Sequence, residues 1–310
     1  MSGPALVRTE TTRAPWTQIP DALRQLWRAC LPEHKGDVAR ALTTNFVGVA
    51  AAAEADALRE ATEKLQRRTP CRAFLLLLDG DACPREAELV ATSRCHGDLR
   101  DIVLEAITLH VPPTAIDQLP GLVRPLLVND LPVHMFWAAP WPANTTSLDG
   151  LAALCDHVVV DSLRFRSAPS ELARLAERRA RGERLSDLSW LRLRPWRRAL
   201  AECFERFAWQ RQPVAATVQH GRDATAAALL LAEWLEQRLA ARVGLEGNGD
   251  TGRVPAAVRL QTGPASLELT TAKQQIVCHV TTAEHCFLPF TVPLSKGSDG
   301  DLLAAAIDMQ

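Results

Sequence analysis

Tyrosine is absent from this 310-residue chain, while tryptophan (8 residues) and arginine are plentiful, a bias that GC-rich coding produces without functional demand. Long apolar runs are missing too. Stretches such as Ala224 to Ala232 fall well short of the roughly 20 residues a helix needs to cross a bilayer. The N-terminus, MSGPALVRTETTRAPW, lacks the charged-then-apolar layout of a secretory signal. Neither sign of charge is in excess: the formal net charge is -1, which argues against a nucleic-acid-binding field and against a polybasic membrane patch. No CxxC occurs among the cysteines at 30, 71, 83, 95, 155, 203, 278 and 286. Such scattered thiols suit a reduced, cytoplasmic protein rather than a disulfide scaffold. GxSxG, HExxH and GxxxxGK[ST] are all absent, as are paired carboxylates at a recognisable spacing. No catalytic residue, cofactor or metal is therefore expected, and the chain reads as a non-enzyme.

What is present is ordinary globular composition, 47% hydrophobic and 23% charged, at a length that favours two domains. The pattern predicts an α/β fold with two domains, each a mixed sheet flanked by helices. Residues 1–36 read as an irregular, Pro-rich N-terminal extension with a short helical piece near 21–29. An N-terminal domain follows over 37–166 and a C-terminal domain over 167–310. In the first domain, alanine and charge without proline predict one long helix over 37–68. Strands are expected at 72–78, 88–95 and 102–110, and a helix opens at Pro112 and Pro113. A strand over 131–137, a short helix over 147–154 and a strand over 157–160 predict a parallel βαβ unit. The second domain opens with a charged helix over 169–181, a linker over 182–187 and a helix over 195–207. A strand at 214–219, an amphipathic helix over 223–242, four short strands and a last helix over 299–308 complete it.

The βαβ reading bears on VNDLPVHMFWAAPWP, residues 128–142. Parallel strands end on one edge, so the loop carrying Trp137 and Trp141 would lie beside Asp161, Ser162 and Arg164, where α/β folds place their sites. Trp190, Arg194 and Trp196 extend the same composition of tryptophan with arginine and proline. Exposed, these residues would form a protein-binding surface, since Trp and Arg dominate interface hot spots. The alternative is that the tryptophans seal the seam between the domains. Asp161-Ser162 is open to two readings as well, a phosphate-gripping site or a turn with local hydrogen bonds.

Three further motifs carry residue types found in ligand sites. Gly247-Asn248-Gly249-Asp250-Thr251-Gly252 matches GxGxxG, but a helix precedes it and a strand follows, the reverse of a dinucleotide site, so a loop is expected. His220-Gly221-Arg222-Asp223 joins a strand to a helix and could hold an anion; a glycine turn with Asp223 as N-cap is favoured. Cys278-His279 and His285-Cys286 have zinc-ligand residue types. A hairpin turning at Thr282 would set the cysteines on one face and the histidines on the other, so four ligands cannot converge. Cys278 and Cys286 are thereby the one candidate redox pair.

Four segments in register carry a resemblance: Leu122-Val123-Arg124-Pro125-Leu126-Leu127; Asp130-Leu131-Pro132-Val133 leading to Trp137; Val158-Val159-Val160-Asp161-Ser162; and Asp187-Leu188-Ser189-Trp190 before Pro195-Trp196-Arg197. Together they resemble the glucose-6-phosphate dehydrogenase assembly protein (OpcA) family over roughly residues 37–308, with a mild departure at Phe136. The resemblance implies a non-catalytic partner of glucose-6-phosphate dehydrogenase that promotes the active oligomer of that enzyme and raises its activity. An enzyme or small-ligand binder using Asp161 and Ser162 is the competing reading.

Overall fold

The computed structural model describes residues 6–30, 42–80, 84–96, 99–142, 145–206, 215–239, 241–294 and 297–309. The chain divides into two compact units, Met1–Val160 with Gly182–Ser186 and Asp299–Gln310, and Asp161–Arg181 with Asp187–Ser298. Both are α/β, with mixed sheets flanked by helices, as the pattern predicts.

The first unit contains β1 (Leu6–Pro15), α1 (Ile19–Cys30), β2 (Thr44–Ala51), α2 (Ala55–Arg68), β3 (Cys71–Leu78), β4 (Glu86–His96) and β5 (Leu99–Val111). After α3 (Leu119–Val123) come β6 (Val133–Trp137), α4 (Thr146–Ala152), β7 (His157–Val160) and the short β8 (Leu185–Asp187). The sheet order is β1-β4-β5-β3-β2-β6-β7-β8. The five strands β5-β3-β2-β6-β7 are parallel, and β4 and β1 add antiparallel pairs outside β5. In chain order the parallel five read third, second, first, fourth, fifth, which is the doubly wound arrangement with its switch point between β2 and β6. β6, α4 and β7 form the expected βαβ unit.

Parallel strands covered on both faces read as continuous apolar runs. Accordingly β6 and β7 are buried throughout, β3 (CRAFLLLL) is apolar after Arg72, and β2 is buried from Thr44 to Ala50. Two polar residues at the start of β2 organise the neighbouring loop. Asn45 accepts from Val128 N (2.8 Å) and donates to the carbonyls of Val128 and Leu131, and Thr44 Oγ1 donates to Pro132 O (2.8 Å). The entry to β6 is set by these bonds.

Two expectations are corrected here. The single helix predicted over 37–68 is a strand, β2, and then a helix that begins only at Ala55; residues 37–41 lie outside the described ones. Alanine's helix preference amounts to tenths of a kcal/mol per residue, and it loses to burial of Phe46, Val47 and Val49 at 1% exposure or less. The irregular extension expected over 1–36 holds an edge strand, β1, in register with β4 from Leu6↔Cys95 to Pro15↔Glu86. The short helical piece expected near 21–29 is α1, which buries Ile19, Leu23 and Leu26. Threonines at 9, 11 and 12 favour that strand, since β-branched residues suit a pleated surface.

The second unit contains α5 (Ala168–Ala180), α6 (Leu188–Arg192), α7 (Arg194–Arg206), β9 (Ala215–His220), α8 (Thr225–Leu239), β10 (Val243–Gly247), β11 (Ala257–Thr262), β12 (Ala265–Ala272), β13 (Gln275–Thr281) and β14 (Phe290–Pro293). Its sheet order is β10-β9-β11-β12-β13-β14, parallel only between β9 and β10. Trp196, Leu200, Leu231 and Leu235 from α7 and α8 pack into one core with Val258, Leu260 and Leu269 of the sheet. β11 to β13 alternate buried and exposed residues, as antiparallel strands with one covered face do. β8 falls in the expected linker, and β10 runs into the expected glycine loop.

The last helix, α9 (Asp299–Asp308), returns to the first unit and packs against α2. A Cβ on Gly300 would meet Lys64 Cβ at 2.9 Å and Ala61 Cα at 3.0 Å, so the two helices approach at a position only glycine allows. Gly300→Val is expected to destabilise the protein by about 1–3 kcal/mol, the usual effect of overpacking. Denaturant unfolding checks this, and an unchanged midpoint would show that α9 is not held against α2.

Candidate functional site

In a doubly wound sheet the switch point is where ligands bind, at the carboxyl ends of the strands. Here β2 ends in Ala51-Ala52-Ala53-Glu54-Ala55-Asp56 and passes through a 3-10 turn (Ala52–Glu54) into α2. A dinucleotide needs glycines in this turn so that its pyrophosphate can reach the helix N-terminus. No glycine stands here. Glu54 and Asp56 place carboxylates at the helix start, which suits the helix dipole and repels a phosphate. Across the switch point β6 runs on into Ala138-Ala139-Pro140-Trp141, and Ala138 N donates to Val49 O at 2.7 Å. Trp137 and Trp141 are 4% and 6% exposed, and Trp137 Nε1 donates to Pro140 O. At the end of β3, where such folds place the ribose-binding acid, Asp79 accepts from Gly80 N (2.8 Å) and pairs with His110 Nδ1 (3.0 Å). The Gly80 N–H and then His110 hold its carboxyl below the usual range.

The exposed patch expected from Trp137 and Trp141 is therefore corrected: both are buried. Trp196 is also core, at 0% exposure, among the residues of α7, α8 and the second sheet. Trp190 is half-buried, with the Arg197 guanidinium 3.7 Å over its ring and Arg197 Nη2 donating to Trp190 O. Desolvation, with Arg194 nearby, lowers the pKa of Arg197. Arg194 itself is exposed, and Arg164 is half-buried.

Asp161 and Asp187 begin the two long stretches of the second unit, and both cap a turn. Asp161 accepts from Leu163 N at 3.2 Å, and Asp187 accepts from Ser189 N at 2.9 Å and from Ser162 N at 3.1 Å. Of the two readings of Asp161-Ser162, this is the turn with local hydrogen bonds. Asp161 is also gripped in a fork by Arg192, Nη1 to Oδ1 at 2.6 Å and Nη2 to Oδ2 at 2.9 Å. Arg253 and Arg164 approach Oδ2 at 3.9 Å and 4.0 Å. Asp161, Ser162, Asp187 and Ser189 are 2% exposed or less. The cluster is a buried brace. The sequence carries a local signal for both caps, Asp-Ser-Leu and Asp-Leu-Ser, but none for Arg192 as the partner of Asp161.

The glycine motifs meet one another. Arg222 N donates to Asp250 O at 2.8 Å and Asn248 N to His220 O at 2.9 Å, so the 247–252 loop lies on the 220–223 turn. A Cβ on Gly221 would stand 2.3 Å from Asp250 O, which explains glycine there. The N–H that would greet an anion is spent on the chain's own carbonyl. Gly221, not Asp223, is the N-cap of the 3-10 turn Arg222–Ala224. In the C-terminal hairpin Cys278 pairs with Phe290 in register, while Cys286 bridges Thr281. Cys278 is buried and Cys286 exposed, which removes the geometric ground for that redox pair. Among the described residues no group of three or more His, Cys, Asp or Glu could hold a metal ion, and no helix is long and apolar enough to cross a membrane.

Burial pushes the Asp187 carboxyl up to about 6, against the opposing N–H bonds from Ser162 and Ser189. The folded protein thus holds this proton more tightly than the unfolded chain. Its contribution to stability is full below about pH 4 and is lost as pH rises through about 6. Asp187→Asn keeps an acceptor for both N–H groups and cannot ionise. Relative to wild type, the variant is expected to gain on the order of 1–3 kcal/mol between pH 4 and pH 7. Unfolding curves across that window test this, and a constant difference would refute it.

Comparisons with known proteins match the chain in two parts. A family model described as the glucose-6-phosphate dehydrogenase subunit N-terminal domain matches residues 62–177, and one for the C-terminal domain matches 183–309. A relative from Nostoc punctiforme, provisionally named OxPP cycle protein OpcA, is 31% identical over 191 residues, 57% of this chain and 39% of that protein. One of the same name from Synechocystis sp. is 29% identical over 141 residues, 44% of this chain and 30% of that protein. The matched region thus spans well under half the length of these curated relatives. Among solved structures, a 3-ketoreductase from Actinomadura kijaniata in complex with NADP and TDP-benzene superposes with a TM-score of 0.51, over 86% of this chain and 88% of that one. At 11% identity that likeness is one of fold.

Proposed function

Because the chain belongs to the glucose-6-phosphate dehydrogenase assembly protein (OpcA) family, we propose that it is a non-catalytic assembly factor and allosteric activator. It binds glucose-6-phosphate dehydrogenase and promotes the active oligomer of that enzyme, within the oxidative pentose phosphate pathway of a bacterial cytoplasm. The observation that carries the non-catalytic reading is the switch point. Alanines, two carboxylates and two buried tryptophans stand where a nicotinamide-dependent enzyme needs glycines and an open crevice. The competing reading, a phosphate or small-ligand site at Asp161 and Ser162, is weakened because Arg192 already holds both Asp161 oxygens. Of the residues put forward for the partner contact, Arg194, Trp190 and Arg164 retain exposed surface. Trp137, Trp141, Asp161 and Trp196 are buried and would act through the fold that presents the contact.

The test uses the purified protein with and without the dehydrogenase of its own host. Alone it is expected to oxidise no glucose 6-phosphate and to carry no dinucleotide by native mass spectrometry. Mixed with the dehydrogenase it is expected to co-elute, to shift that enzyme toward a larger oligomer and to raise its turnover. Intrinsic dehydrogenase activity would overturn the non-catalytic reading, and failure to co-elute would overturn the assembly reading.

A further inference from the structure

A groove of about 350 Å³ opens in the first unit between α1 and the 3-10 turn Arg124–Leu126. One wall is apolar, made by the half-buried Trp27 with Pro20 and Leu23 of α1, and Pro125 and Leu126 stand opposite. At its base lies Arg72, whose side chain is 11% exposed. Nε of Arg72 bonds Glu105 at 2.5 Å and Nη1 bonds Leu126 O at 2.7 Å, so the guanidinium is held in one orientation. Its Nη2 has no partner among the described residues. Arg24 and Arg28 line the groove one helical turn apart on α1, and both are exposed. Arg24 is paired with Asp21, whereas Arg28 and the neighbouring, exposed Arg124 have no carboxylate partner among the described residues.

The charges here are unbalanced in one direction only. Glu105 neutralises Arg72 and Asp21 neutralises Arg24, which leaves Arg28 and Arg124 as surplus cations beside an indole. A small anion such as phosphate would engage the guanidiniums and leave Trp27 and the two prolines uncovered. A protein segment with carboxylates flanking an apolar side chain uses both parts: its carboxylates meet the guanidinium forks and its apolar side chain lies on the indole. Trp and Arg around a partly enclosed site form the composition from which interface hot spots are drawn.

We propose that this groove is the docking surface for an acidic segment of the partner enzyme, seated on Trp27 and held by Arg28, Arg124 and Arg72. The proposal rests on the assembly reading above and locates its contact in the first unit, at the start of β3 that carries Arg72. The experiment measures binding of the host dehydrogenase to the full chain by calorimetry, for wild type, for Arg28→Glu with Arg124→Glu, and for Arg238→Glu as an exposed control in the second unit. The double reversal is expected to weaken binding at least about tenfold, to flatten its salt dependence and to leave the melting temperature unchanged. Arg238→Glu is expected to bind as wild type does. If wild type binds and the double reversal binds equally well, the groove is not the docking surface while the assembly reading stands. If wild type does not bind, it is the assembly reading that fails. Inorganic phosphate displacing the dehydrogenase far better than chloride at equal ionic strength would make the groove a phosphate site and overturn the proposal.

Discussion

Strand β2 is hydrogen-bonded on both edges, to β3 and β6, and covered on both faces, and the architecture of the first unit depends on that position. With both faces covered, its side chains from Phe46 to Ala50 are apolar and closely packed, and its two polar residues, Thr44 and Asn45, bond the loop before β6. Gly48 shows the tolerance involved: a Cβ there would come within 2.8 Å of Leu58 in α2. Because α2 lies so close, the turn joining it to β2 is short, and its composition decides what the carboxyl edge of the sheet can accept. In this chain that turn is alanine and glutamate. The edge that hosts chemistry in other doubly wound folds is here continuous with the core, through Trp137 and Trp141.

The second unit places its charge differently. Asp161, Asp187 and Arg192 are buried together: Arg192 meets both Asp161 oxygens and two N–H groups meet Asp187 Oδ1, while Asp187 Oδ2 has no hydrogen-bond partner among the described residues. Removing Arg192 leaves the Asp161 carboxylate buried without its fork, so this pair resists substitution far more than an exposed ion pair such as Arg259 with Glu268. Asp187, with the fewest cations about it, absorbs the strain of burial as a raised proton affinity.

Tryptophan distribution links the two units to function. Of the four tryptophans singled out in the sequence, Trp137, Trp141 and Trp196 are buried, and Trp190 is stacked under Arg197. Trp27, in the short helical piece of the N-terminal segment, keeps partial exposure beside Arg28. On the docking proposal, the face offered to a partner follows from which helix the fold left half-covered.

Periodicity and apolar runs by themselves determined much of this protein. β3, the βαβ unit at β6 and β7, the alternating strands of the second sheet, and α5, α7, α8 and α9 all follow from side-chain spacing, because burial of one or both faces imposes it locally. The misplaced GxGxxG was readable as a loop for the same reason, from the elements on either side of it. Tertiary structure alone decided that residues 44–51 are a strand, since the six apolar, glycine and alanine residues from Phe46 to Ala51 fit helix or strand until β3 and β6 bracket them. It alone joined Arg192 to Asp161 and Arg72 to Glu105, pairs 31 and 33 residues apart with no local signal. And it alone settled which tryptophans face water, because exposure depends on what packs over a residue, and no window of neighbouring sequence contains that information.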